Sequence, residues 1–405
     1  MLAAMSPSPS PVEPARIRAA RGRDDACPGA LRLHTADDGA LARVRVPGGL
    51  LSSGQALVLA DAATALGDGA LETTSRGNVQ LRGLPADAGA ELGARLRAAG
   101  LLPSDTHDRV RNIVASPLAG LPGGGPDLRG WVRELDALLQ SSEIARALSG
   151  RFLFALDDGT GDVAALDADV TLIAQPVGSA LLRLGRSADA APVADPVRAA
   201  LAAAEAFVGL RSGTWRVCEA DPDGALLAGR LGLEPRPLPV LPGTRPAVGA
   251  REGALCVGLR FGRATAEQWR LLAAQADELR VTPWRGVVLP GADPAALPAL
   301  AAAGLRTDPG SAWERATACT GAPGCAKALA DVRAEAAAAL DATAGPAGRP
   351  VHWSGCERRC GHPVGDWVDV LATGDGYRIS HQPGNATEVT NQQMAAAVAA
   401  ARRTT

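Results

Sequence analysis

Four cysteines fall in two close pairs late in the chain. Five residues lie between Cys319 and Cys325; thirty residues later, three lie between Cys356 and Cys360. Four thiolates can hold a [4Fe–4S] cubane, each loop supplying two of them. Gly321, Pro323 and Gly324 let the first loop bend around an inorganic core, and Gly355 and Gly361 do the same for the second. A helix starting at Cys325 would add favourable amide dipoles. Structural zinc pairs usually stand two to four residues apart, so the five-residue gap fits zinc less well; unligated thiols are the third reading. Cys27, Cys218 and Cys256 are isolated. They read as plain thiols, with Cys27-Pro28-Gly29 a candidate neighbour of a site.

The second dense signal is the run from Glu72 to Gly83. Read as one strand, its alternation puts Arg76, Asn78, Gln80 and Arg82 on one face. Such a row asks for an anion across it, because arginine forks match carboxylates. A solvated sheet face is the plain alternative. Arg109, Arg111 and Asn112 could close over the same ligand.

The elements carrying these residues occur twice. A strand at 41–46, a helix at 55–66 and a strand at 71–84 are echoed by a strand at 254–261, a helix at 264–279 and a strand holding Pro283-Trp284-Arg285-Gly286. Each copy ends at Ala-Ala-Gly (98–100 and 302–304). Counting fifteen residues on from each Gly aligns Ala115-Ser116 with Cys319-Thr320 and Arg111 with Arg315. The order of features reads as a duplicated β-α-β unit, each followed by an α/β module. Helices are expected at 129–148, 195–211, 325–341 and 391–402. The resulting organisation is a disordered tail (1–24), a ferredoxin-like half-domain (25–100), an α/β module (101–233), a Pro-rich linker (234–247), a second half-domain (248–304) and a cysteine-bearing α/β module (305–405).

Composition narrows the function. A net charge of −2 gives no nucleic-acid footprint. No apolar run reaches the roughly 20 residues of a membrane span. The Ser-Pro repeats at 6–11 lack an apolar signal core, so the expected location is the cytoplasm, where disulfides are rare. Lys327 is the one lysine among 41 Lys and Arg residues.

Together, the paired cysteines and the Thr73-Thr74-x-Arg76-x-Asn78-x-Gln80 run on a duplicated chain resemble the sirohaem and [4Fe–4S] sulfite and nitrite reductase family, over about residues 27 to 395. The resemblance implies an α+β fold with ferredoxin-like β-α-β units and two haemoprotein-like modules in pseudo-two-fold symmetry. It implies cluster ligands Cys319, Cys325, Cys356 and Cys360, with Cys360 able to bridge to a sirohaem iron. It also implies tetrapyrrole contacts at Arg76, Asn78, Gln80, Arg82, Arg111 and Arg151. The reductases place a Lys-x-Lys pair where this chain has Arg151 and Leu153. That departure, the shorter chain and the opening Cys27-Pro28-Gly29-Ala30-Leu31-Arg32-Leu33-His34 look like the precorrin-3B synthase branch. Its reaction is oxygen-dependent hydroxylation of precorrin-3A with γ-lactone formation, in aerobic cobalamin biosynthesis. This likeness implies dioxygen, a ferredoxin or reductase as electron donor and a mononuclear non-haem iron. The five histidines (His34, His107, His352, His362 and His381) name no ligand triad. A sirohaem reductase and a non-catalytic iron–sulfur carrier or sensor are the alternatives.

Overall fold

The computed structural model describes residues 25, 27–343, 348–381 and 386–403; the expected tail at 1–24 lies outside them. Strands β1 (His34–Ala36), β2 (Gly39–Val44), β3 (Leu50–Ser52), β4 (Ala70–Thr73) and β5 (Val79–Leu84) belong to the first half-domain. The first module contributes β6 (Ile113–Ala115), β7 (Phe154–Asp157), β8 (Val170–Ala174), β9 (Ala180–Leu184), β10 (Asp189–Val193) and β11 (Arg236–Pro237). The second half-domain has β12 (Gly249–Arg251), β13 (Ala254–Gly258), β14 (Arg263–Thr265), β15 (Glu278–Val281) and β16 (Gly286–Pro290). The second module has β17 (Ala316–Ala318), β18 (Val351–Ser354), β19 (Val368–Ala372), β20 (Tyr377–His381) and β21 (Thr387–Val389).

These form four sheets: β1-β2-β5-β4-β14, β12-β13-β16-β15-β3, β11-β10-β9-β8-β7-β6 and β17-β18-β19-β20-β21. The half-domains exchange a strand. β14 pairs with β4 of the first half, and β3 pairs with β15 of the second. Each exchanged strand leads into a helix with the same capping box. Ser52 and Gln55 start Ser53–Leu66; Thr265 and Gln268 start Ala266–Ala273. The two capping glutamines then reach matching carbonyls, Gln55 to Ala99 (3.0 Å) and Gln268 to Ala303 (2.6 Å). Leu59, Leu71 and Leu81 from one half share a single core with Leu255, Trp269 and Leu289 from the other. In both modules three strands run parallel before the chain turns back antiparallel.

Several expectations are corrected. The stretch 71–84 is a hairpin, because Thr74 N–H reaches Asn78 O (2.9 Å), Asn78 N–H reaches Thr74 Oγ1 (3.2 Å) and Gly77 turns at φ 65°. The same contacts join Thr282 and Gly286, so Arg76 matches Trp284 and Gly77 matches Arg285, one residue away from the count by motif. The helix expected at 264–279 stops at Ala273, and β15 follows. That expected at 129–148 ends at Ser141. The Pro-rich stretch 234–247 is partly docked: Pro237 pairs with Asp189 on the outer edge of the module sheet, where a residue without N–H is tolerated.

Candidate functional site

β17 and β18 are parallel neighbours, so the loops that follow them leave the same edge of the sheet. This is where open α/β sheets bind ligands. Cys319 follows β17 directly and donates its N–H to Trp353 O (2.9 Å). Gly355, just past β18, donates its N–H to Cys319 Sγ (3.2 Å). Leu329 N–H returns to Gly355 O (2.9 Å), closing one cysteine loop onto the other. A Cβ on Gly355 would lie 2.7 Å from Ala328 Cβ, and one on Gly321 would lie 2.8 Å from Val332 Cγ2. Cys319, Cys325 and Cys356 are half-buried and Cys360 is exposed. Burial pushes the Cys319 thiol up; the Gly355 and Gly321 amides oppose this, and Cys360 and Cys356 lie near enough to add to it. Cys325 does not start a helix. It opens a turn (Ala328 N–H to Cys325 O, 2.9 Å), and Ala322 N–H closes the loop on Ala330 O (3.0 Å). The helix Val332–Asp341 begins only after Asp331, whose carboxylate caps it. Soft sulfur donors, an amide aimed at the Cys319 sulfur and glycines at the closest approaches suit thiolate ligation of a cluster, with Cys356 and Cys360 within electrostatic reach of Cys319.

Beside these loops lies one face of the first half-domain sheet. Directly opposed residues run across four strands as Arg43, Gln80, Glu72 and Arg263. Arg43 Nη2 donates to Gln80 Oε1 (2.8 Å), and Gln80 Nε2 to Glu72 Oε2 (3.1 Å). Arg82 clasps Asp38 with two 2.8 Å bonds and touches Gly324 O (3.3 Å), while Ala326 N–H meets Asp37 (2.7 Å). The β1–β2 hairpin thus braces the first cysteine loop.

The six expected tetrapyrrole contacts separate. Gln80 and Arg82 share the sheet face. Asn78 is buried at the hairpin end, held by Val46 N–H (3.1 Å) and bonded to Asn112 Oδ1 (3.0 Å). Arg76 sits in the turn rather than in a strand, near Gly150 O (3.5 Å). Arg151 lies over the Trp215 ring at 4.8 Å. Arg111 turns away: it makes a buried bidentate pair with Asp136 (2.6 and 2.8 Å) on the helix Arg129–Ser141 and bonds Leu101 O.

Sequence reasoning missed the centre of the cationic patch, Arg43 and Arg45, although their alternation on one strand edge was available as a signal. Arg45 is 1% exposed; it bonds Arg109 O and Pro28 O, and its Nη1 has no partner. Burial, then Arg43 beside it, pushes Arg45 down to about 9. Arg76 is lowered by burial and by Arg216, and Cys27 opposes both. Cys27 therefore stands within electrostatic reach of Arg43, Arg45 and Arg76. Asp25 anchors that segment through Ser149 Oγ (2.7 Å) and Gly150 N–H (2.6 Å).

The histidines do not form a facial triad. His107 bonds Ser142 O (3.0 Å), buried His352 bonds Thr317 Oγ1 (2.8 Å), and exposed His362 stacks on Trp367 at 4.7 Å. Burial, with Arg285 nearby, pushes His352 down to about 3. Among the described residues the one tight group of metal-capable side chains is Asp157, Asp158 and Asp162, without a histidine. The residues do not fit a preformed two-His, one-carboxylate iron site.

The profile of the nitrite/sulfite reductase ferredoxin-like half domain matches residues 34–99 and 250–305, the two strand-exchanged units. The chain is 30% identical to the ferredoxin–nitrite reductase of Synechococcus elongatus over 392 residues, covering 80% of this chain and 74% of that protein. A ferredoxin–nitrite reductase of Leptolyngbya laminosa is 38% identical over 103 residues, 25% of this chain and 20% of that one. The precorrin-3B synthase of a Sinorhizobium species is 27% identical over 384 residues, 88% of this chain and 82% of that protein. The solved structure of the Mycobacterium tuberculosis NirA protein superposes with a TM-score of 0.67 at 20% identity, over 88% of this chain and 79% of that one. The duplicated α+β frame is that of the nitrite and sulfite reductases. The chain belongs to the nitrite/sulfite reductase family, and its named relatives are oxidoreductases. No helix among the described residues is long and apolar enough to cross a membrane.

Proposed function

We propose that this chain is a precorrin-3B synthase-type monooxygenase that carries a [4Fe–4S] cluster on Cys319, Cys325, Cys356 and Cys360. The observation that carries the reading is Leu153. By likeness to the reductases, this position would hold the second cation that binds and protonates a small anion. Here the side chain is 3% exposed and packs with Val114, Ala155, Val163 and Ala168. A guanidinium at 151 offers a planar fork that grips an anion but is a poor proton donor. The cleft is thereby suited to gripping a polycarboxylate rather than to reducing nitrite or sulfite.

In this reading Arg43, Arg76 and Arg151 take the acetate and propionate arms of precorrin-3A. Arg45, 1% exposed and held by Arg109 O and Pro28 O, adds its positive charge from behind them. Arg82 and Arg111 are already neutralised by Asp38 and Asp136 and hold the walls in place. The cluster, when bound, supplies electrons one at a time from a donor such as ferredoxin. Overall, one atom of dioxygen enters at C20 and a ring acetate closes the lactone, while the other atom leaves as water on two electrons and two protons. Anaerobic reconstitution, then incubation with precorrin-3A, oxygen and reductant, tests this. A product heavier by one oxygen atom is expected, and unchanged substrate with an intact cluster rejects it.

The 30% match to a ferredoxin–nitrite reductase favours a second reading, a sirohaem-dependent reductase. It predicts strong structured sirohaem bands and ammonia from nitrite, where the first reading predicts the single broad shoulder of a bare cubane.

A further inference from the structure

Glu72 is a buried carboxylate with no place in the scheme above, and it sits where the cleft face meets the first cysteine loop. It is 8% exposed. Its Oε2 accepts from Gln80, which in turn holds Arg43 in the cationic patch. Its Oε1 accepts from Arg333 Nη1 (2.5 Å), and the same guanidinium donates Nε to Cys319 O (3.1 Å). Burial works against a charge on Glu72. Arg333, with Arg82 and Arg263 behind it, outweighs burial and holds the carboxyl below the ordinary glutamate range. A fixed negative charge thus stands one guanidinium away from the backbone of a cluster-ligand residue, on the side facing the cleft. Net charge and hydrogen bonding around a cluster set its reduction potential.

We propose that Glu72 and Arg333 are positioning residues that tune the electron affinity of the centre held by the cysteine loops, acting as two opposed charges rather than as a strut. The inference rests on the reading that those loops carry a cluster. Adding an electron makes the centre more negative. Glu72 therefore opposes reduction and Arg333 favours it, and the pair sets the balance against whatever the cleft arginines hold.

The test is a redox titration of the reconstituted full chain, followed by electron paramagnetic resonance of the reduced cluster. Glu72→Gln keeps the side-chain shape and is expected to ease reduction by up to tenfold, a rise of about 59 mV for a one-electron couple. Arg333→Gln is expected to move the potential down by a similar factor, and the double variant to return close to the parent. Opposite signs are the mark of charge; a strut would loosen the loop in both variants and move both potentials the same way. If Arg333→Gln fails to fold, Arg333→Lys keeps the charge and should stay within twofold of the parent. Parent and variants that all carry the cubane signal, with potentials that do not move or that move together, would overturn the proposal. A parent without any cubane signal would instead fell the cluster reading beneath it.

Discussion

The two modules put different chemistry at the same place in the same frame. Ser116 N–H pairs with Leu156 O (3.0 Å) as Cys319 N–H pairs with Trp353 O (2.9 Å). Ser116 Oγ accepts from Asp158 N–H (3.1 Å) as Cys319 Sγ accepts from Gly355 N–H (3.2 Å). In the first module the following loop supplies its own anions. Asp157 gathers the amides of Gly159, Gly161, Val163 and Ala164, and Ser116 donates to Asp162 (2.5 Å). The sheet facing each site differs to match. Where one half-domain shows Arg43, Gln80 and Glu72, the other shows Cys256, Val288 and Arg280. Leu118 packs on Cys256 and Val288, and Arg280 ties down Pro117 O (2.9 Å) and Ala119 O (2.8 Å). One copy is completed from within by carboxylates and a leucine plug. The other carries thiols and arginines at the matching place, the groups the proposed cluster and tetrapyrrole would engage.

The contrast breaks most visibly if the wrong copy holds the iron. Cys356→Ser should remove the cluster's iron and broad visible absorption completely, whereas Asp162→Asn should leave both intact; metal analysis decides. Next in size, Leu118→Ala should cost about 2–4 kcal/mol in denaturant unfolding, as expected for a buried leucine, with iron content unchanged. Arg76→Ala should weaken tetrapyrrole binding by about 1.5–3 kcal/mol, the loss of a charge-assisted contact. Arg111→Ala should spare that affinity and lower stability instead, because it strands Asp136; equal losses of affinity by titration would put Arg111 back in the cleft. The smallest effect is on pH dependence. Burial, with Asp157 and Asp158 alongside, pushes Asp162 up to about 7. The unfolded chain releases that proton near the ordinary aspartate value of 3.8, so the folded form binds more protons between these values. Stability should therefore fall as pH climbs through that window, and Asp162→Asn should flatten the fall.

The cysteine spacing, the repeat and the α+β frame were legible because each leaves a local imprint: a fixed gap, an order of elements, an alternating pattern. The register between copies was not. Sixteen residues separate Gly100 from Ser116 but fifteen separate Gly304 from Cys319, and only the hydrogen bonds reveal the extra one. They match Ser116, not Ala115, to Cys319, and Asn112, not Arg111, to Arg315. The polar alternation of 72–83 ran unbroken through a turn that Gly77 alone betrays. The resemblance alone puts Arg111 in the cleft; its partner, Asp136, lies 25 residues away and nothing local announces it.

The exchange of β3 and β14 has a further consequence for how this molecule can be divided. Neither half owns a complete sheet, so a fragment ending before residue 234 would display an unfilled edge and half of a shared interior. Two fragments made together should find each other, each lending the missing strand. A break in the Pro-rich connection would then leave a heterodimer that behaves as the uncut chain does, since the chain's own continuity is not what joins its halves.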